Sequence, residues 1–320
     1  MADLHSLFET FHTNIRITQT KKNKLKNSKD VLREKIISYF EEHHREYVPK
    51  FRIQGSYKMG SAIRTKDDTC DLDDGVYFLR KPDVSPTILQ TWVYNAVQGH
   101  TKEQAHRKKC ISVLYFENDV EVYNIDIPVY YRLDDESPQL AIKNGEWSES
   151  DPKEMTDWFV DKKKQKSQVA KIVRYLKSWC DHVREKMPSG LAMTVLACNA
   201  IENVSWYDKR DDVTLKNMLK EIRRVLKTKF ECIVPAVPND DLFANYDNAK
   251  RQSILQRLDD FITDAEAALE EKNELKASRL WGKHLGNRFP EGEDKNQESN
   301  NIGALAGLGS IAKSNKPWSC

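Results

Sequence analysis

Phe51-Arg-Ile-Gln-Gly-Ser-Tyr-Lys-Met-Gly-Ser-Ala-Ile-Arg-Thr-Lys-Asp-Asp-Thr-Cys-Asp-Leu-Asp-Asp-Gly-Val-Tyr-Phe78 is the stretch on which the reading of the chain turns. Residues 51–54 form a short strand-like run that stops at a Gly-Ser pair. Residues 57–63 have helical potential, and a second strand is entered through Asp71-Leu72-Asp73 and runs on to Leu79. Side chains alternate faces along a strand, so Asp71 and Asp73 point the same way. Two adjacent carboxylates repel each other, and Mg²⁺ bridging to substrate phosphates is the usual occupant of such a pair. Gly55 permits close backbone approach to a ligand, and Ser56 offers a hydroxyl and an N–H where a helix starts, a setting that favours phosphate. A phosphate cradle 16 residues ahead of a metal pair points to nucleotide chemistry.

Gly-Ser pairs are common in turns, and Asp-x-Asp arises by chance in acidic loops. A third carboxylate separates the two readings. Val120-Glu-Val-Tyr-Asn-Ile-Asp-Ile-Pro-Val-Tyr-Tyr-Arg132 reads as one long strand with Asp126 among Ile125, Ile127 and Val129. An acid inside an apolar strand is costly without a metal or a partner. Antiparallel pairing is expected to bring Asp126 beside Asp71 and Asp73 and complete a two-metal site.

Gly55-Ser56, Asp71-Leu72-Asp73 and Asp126 resemble the active-site set of the DNA polymerase β-like nucleotidyltransferase superfamily. Gln54-Gly-Ser-Tyr-Lys-Met-Gly-Ser61 and Asp71-Leu-Asp-Asp-Gly-Val-Tyr77 are similar to one branch of it, the bacterial cGAS/DncV-like nucleotidyltransferases. The resemblance spans about residues 20–290 and is strongest at 51–80 and 120–132. Asp74 departs from it, because the superfamily usually has an apolar residue there; strand alternation favours Asp71 and Asp73 as the ligands. The resemblance implies a cyclic oligonucleotide synthase active in anti-phage signalling, with two Mg²⁺ ions, or Mn²⁺ in their place, held by Asp71, Asp73 and Asp126. ATP, GTP or other nucleoside triphosphates would be substrates, and the product would act on a separate effector. It also implies nucleotide or phosphate contacts from Gln54, Gly55, Ser56, Lys177 and Ser189, the last two from the helical lobe. The tail at 290–320 is open, on the same ground, to ubiquitin-like conjugation to a partner.

The composition sets bounds on these readings. The 320 residues include 51 Lys and Arg against 49 Asp and Glu, a net charge of +2. Mean hydropathy is −0.70. Near-neutrality argues against an extended nucleic-acid surface and hence against RNA tailing. No apolar run is long enough for a membrane span, and no signal peptide is visible. The six cysteines are scattered without CxxC spacing, so neither a zinc site nor a disulfide framework is indicated, and a reduced cytoplasm fits, which the resemblance implies is bacterial.

Along the chain, a weakly amphipathic start (1–20) leads through the basic run at 21–29, read as a solvated face, into a helix to residue 44. A helix at 87–97, a strand at 110–116 and an Asn118-Asp119 turn into the Asp126 strand complete an α+β pattern. The polar stretch 134–151 reads as the crossing between lobes. Helices follow at 168–184, 191–201, 212–230 and 248–281. The expected architecture is thus α+β: a polymerase β-like catalytic lobe with its N-terminal helix (1–150), a helical lobe closing over nucleotides in the cleft between (151–289), and a flexible tail (290–320). A linear oligoadenylate synthase, another superfamily transferase acting on RNA or a small molecule, and a non-catalytic nucleotide-binding module are the alternatives.

Overall fold

The structure, a computed structural model, describes residues 2–134 and 136–294; the tail expected at 290–320 lies outside the described residues from 295 onward. Two helices open the chain, α1 (His5–Ile15) and α2 (Gln19–His43). The side chain of Thr18 caps α2 by accepting from the Lys21 N–H. Leu25, Leu32, Ile36 and Phe40 form its buried stripe, and the basic run is part of the helix, with Lys29 itself buried. Next come β1 (Pro49–Gln54), the one-turn α3 (Gly55–Met59), β2 (Asp71–Phe78) and α4 (Pro86–Val97). Ser85 caps α4, and Pro86 occupies its first turn, where no N–H is needed. The sheet then grows through β3 (Glu103–His106), β4 (Ile111–Glu117), β5 (Val120–Ile127), β6 (Val129–Tyr131), β7 (Gln139–Ala141) and β8 (Trp147–Glu149).

Strand order is β3-β4-β5-β2-β6-β7-β8, with β1 pairing antiparallel to β2. The acid-bearing strands β2 and β5 pair in parallel, with Asp71 opposite Asn124 and Asp73 opposite Asp126. The antiparallel expectation is therefore corrected. The reason lies in the connection: α4 carries the chain back across the sheet, and two hairpin reversals return β5 to the direction of β2. The expected long strand at 120–132 is broken at Pro128, which has no N–H for the ladder, and continues as β6 beside the second half of β2. The stretch 134–151 is no bare crossing either, since β7 and β8 form a hairpin that extends the sheet.

The second half is helical: α5 (Pro152–Gln165), α6 (Val169–Val183), α7 (Gly190–Asn199), α8 (Asp211–Thr228), α9 (Asn248–Glu270) and α10 (Glu274–Leu285). The single helix expected at 248–281 is two, because Asn273 starts a new one by capping Lys276. Two main cores form. One joins α2 and α4 to the sheet, and the other packs the helices around Trp179, Phe261 and Trp281. Phe8, Phe11 and Ile15 of α1, with Leu4 just before it, belong to the helical core, so α1 packs outside the lobe that the 1–150 boundary assigned it to. Phe8 meets Tyr175, Trp281 and Phe289 edge-on, with centroids 4.9–5.3 Å apart.

Phe8→Ala should therefore destabilise the helical lobe by about 3–5 kcal/mol, read by urea denaturation. A loss under 1 kcal/mol would show that α1 is not an integral part of that core.

Candidate active site

Register places the acids. Asp71, Asp73, Asn124 and Asp126 occupy one face of the β2–β5 ladder, and Gln54 is the partner of Asp73 on the other side, in β1. The intervening Leu72 and Asp74 are buried on the opposite face. Asp74 is bound there by Arg33 of α2 in a two-pronged pair, Nε–Oδ2 2.7 Å and Nη2–Oδ1 2.5 Å. It thereby faces away from Asp71, Asp73 and Asp126.

Gly55 has φ +63°, and a Cβ at that position would fall 2.0 Å from Asp73 Oδ2. Glycine there lets the start of α3 rest against the carboxylate, so the Gly-Ser turn and Asp73 are in direct contact. Ser56 is the next residue of α3 and is half-buried. On the far side, Asp126 accepts hydrogen bonds from Ser112 Oγ and, at 3.2 Å, from Asn124 Nδ2. These donors orient the carboxylate. A serine opposite Asp126 within the apolar strand β4 was the available sequence signal for this support.

Burial, together with the neighbouring Asp71 and Asp126 carboxylates, pushes the Asp73 carboxyl up to about 7. Asp71 is raised as well, first by burial and then by Asp126. Lys177 of α6 is the cation that opposes this. Its ammonium donates to Ser61 Oγ at 3.1 Å, and burial lowers its pKa to about 8 against the pull of Asp71. Clustered carboxylates that resist ionisation, with oxygen donors on one face, suit a hard divalent cation, which would relieve their repulsion. A different group, His5, Glu9 and Asp211, brings ligand atoms within 4.8 Å of one another between α1 and α8, but the Lys171 ammonium already sits on Glu9 and Asp211.

A cavity of about 430 Å³ opens over the acids between the sheet and the helices. Gly55, Asp73, Asp126 and Tyr130 form its sheet side, while Met155 and Thr156 of α5, Leu191 of α7 and the loop around 234–242 form the other. Sequence reasoning missed that loop, whose residues carry no motif. Gln54 is buried, and its amide bridges the hydroxyls of Tyr130 and Tyr77, each at 3.0 Å. The two rings stack at 4.6 Å and 8°. Gln54 thus braces the cleft floor. Ser189 is exposed and caps α7 through the Ala192 N–H at 3.2 Å; Lys177 lies against Gly190.

Residues 49–130 match the family described as "Cyclic GMP-AMP synthase DncV-like, nucleotidyltransferase domain". A cyclic GMP-AMP synthase of Escherichia albertii is 30% identical over 182 residues, covering 51% of this chain and 39% of that protein. One from Vibrio cholerae serotype O1 is 26% identical over 306 residues, 77% of this chain and 69% of that protein. The chain thus spans well under half of the first relative and about two thirds of the second. The crystal structure of Vibrio cholerae DncV cyclic AMP-GMP synthase has the same fold, with TM-score 0.79 and 18% identity over 90% of this chain and 98% of that one.

A carboxyl raised in the fold holds its proton more tightly there than in the unfolded chain. Metal-free protein should therefore lose stability as pH climbs from about 4 to about 7. Thermal melts across that range should show the fall, and Asp73→Asn should flatten it. An identical slope in the variant would remove Asp73 as its source.

Proposed function

We propose that this chain is a bacterial cGAS/DncV-like nucleotidyltransferase, a reading supported by the family match over residues 49–130 and by the cyclic GMP-AMP synthase relatives, and that it joins nucleoside triphosphates into a cyclic di- or trinucleotide with release of pyrophosphate. The observation that carries this is the placement of Asp73 opposite Asp126, two residues from Asp71 and against Gly55. Acids and a phosphate-side turn meet there at the floor of a nucleotide-sized cleft.

In each step a ribose hydroxyl oxygen attacks the α-phosphorus of a triphosphate. A new phosphodiester O–P bond forms as the bond to the pyrophosphate breaks. Asp71, Asp73 and Asp126 would hold divalent ions, Mg²⁺ with Mn²⁺ as a substitute, which neutralise triphosphate charge and lower the pKa of the attacking hydroxyl. Ser112 and Asn124 hold Asp126 in its orientation. Gly55 and Ser56 take the β- and γ-phosphates. Lys177, drawn toward the charged form by Asp71 and Asp73 against its burial, supplies positive charge beside them. Ser189, at the start of α7, orients the same phosphates. Gln54, Tyr77 and Tyr130 shape the floor on which a nucleotide lies. The enclosed cleft retains the linear intermediate for a second attack, which closes the ring.

The five described cysteines are free thiols, in keeping with a reducing cytoplasm where triphosphates are abundant. Among the described residues no helix is long and apolar enough to cross a membrane. A signalling role, with the product acting on a separate effector, is part of the same proposal.

Incubation with all four nucleoside triphosphates and Mg²⁺ or Mn²⁺, then phosphatase treatment and mass spectrometry, tests the reading. A phosphatase-resistant cyclic species is expected, and its mass identifies the bases. Asp73→Asn and Gly55→Ala should each cut its formation by about 100-fold or more with far-UV circular dichroism unchanged. Phosphatase-sensitive linear products would favour an oligoadenylate-type synthase. Full turnover by Asp73→Asn would defeat the metal assignment.

A further inference from the structure

Residues 60–70 join the Gly-Ser helix α3 to the acid strand β2, so their path sets where Ser56 stands relative to Asp71. The segment crosses from one core to the other. Met59 and Ile63 pack in the helical core, and Cys70 and Leu72 in the sheet core. Much of its anchorage comes from the helical side and from α1. The Arg64 N–H donates to Ile15 O at 2.8 Å, and its guanidinium donates to Asn14 O and, at 2.8 Å, to Arg16 O. The Lys66 N–H donates to Asp181 Oδ2 at 2.5 Å and its ammonium to His182 O at 3.1 Å, while Asp67 pairs with Arg184 at 2.5 Å.

One side chain ties these anchors together. Arg288, beyond the end of α10, donates to the Arg64 carbonyl, to Ser178 Oγ at 2.8 Å and to Asp181 Oδ2 at 3.0 Å. Its own carbonyl accepts from Asn14 Nδ2 at 2.9 Å. Its side chain is 15% exposed and that of Asp181 12%. The guanidinium is polar cement rather than packing, a part left to the neighbouring Phe289. Removing its charge leaves both cores filled, but frees a segment that enters β2 seven residues after Arg64.

We propose that Arg288 is a positioning residue for the metal site: by holding Arg64 and Asp181 together it fixes segment 60–70, and with it the placement of Asp71 relative to the Gly-Ser turn. This rests on the nucleotidyltransferase reading for its consequence in catalysis, though not for its structural content. It also links the segment just before the tail to the catalytic centre.

The test compares wild type with Arg288→Met, Arg288→Lys and, as a control, Arg279→Met, which removes an exposed ion pair to Glu291 nearby. Three quantities are measured: amide hydrogen exchange, Mn²⁺ binding by electron paramagnetic resonance, and turnover against Mg²⁺ concentration. Arg288→Met should speed exchange across 60–70 and the start of β2 by about 10-fold, leaving α8 and α9 unchanged. It should weaken Mn²⁺ binding by about 10-fold and raise the Mg²⁺ needed for half-maximal turnover. Arg288→Lys should restore part of each, and Arg279→Met should match wild type. Unchanged exchange at 60–70, uniform loosening of the whole protein, or loosening without weaker Mn²⁺ binding would each overturn the proposal. If wild type formed no nucleotide product, the functional reading would fall, while exchange and Mn²⁺ binding would still decide the role of Arg288.

Discussion

Everything in the cleft depends on the parallel pairing of β2 with β5, which sets Asp73 opposite Asp126 and puts Asp71 two residues away on the same face. Like charges so close and so deeply buried cannot all ionise freely: burial first, and the neighbouring carboxylates second, push the Asp71 and Asp73 carboxyls up. The surroundings accept it in an ordered way. Gly55 removes a Cβ that would collide with Asp73, Ser112 and Asn124 grip Asp126, and Lys177 supplies one buried cation.

The division into two cores has a mechanical consequence. Helix α3 is held from both sides, with Gly55 against the sheet and Met59 in the helical core. Lys177 reaches from α6 to Ser61, and Arg174 donates from the same helix to the Gly60 carbonyl. The helical lobe therefore does more than cover the cleft, because it anchors the segment that leads into the acid strand. The N-terminal helix takes part as well, since its last carbonyls receive the Arg64 guanidinium.

Individual side chains show how polarity sorts into support and chemistry. Asp74 differs from its neighbours Asp73 and Asp71 by strand face alone, and Arg33 completes it as a buried pair. Gln54 stands in the most suggestive string of the sequence, yet its amide is bound to two tyrosines beneath the cleft. Ser189 combines a cap for α7 with a place beside the buried Lys177.

Local rules made much of this legible in the sequence. Alternation put Asp71 and Asp73 together and Asp74 apart, the apolar surroundings of Asp126 marked it as exceptional, and Gly-Ser marked the turn before α3. The helix content of the second half followed from its periodicity. Strand direction was not legible, because it depends on how many times the chain reverses between β2 and β5, and α4 adds a crossover that no local pattern reveals. Nor was the allegiance of α1, whose Phe8 and Phe11 show an apolar face but not which core receives it. The loop at 234–242, which lines the cavity, and the Arg288 joint lie far in sequence from Asp71, Asp73 and Asp126. Only tertiary structure brings them there, because packing and long-range hydrogen bonds, unlike periodicity and residue chemistry, leave no mark at a fixed spacing.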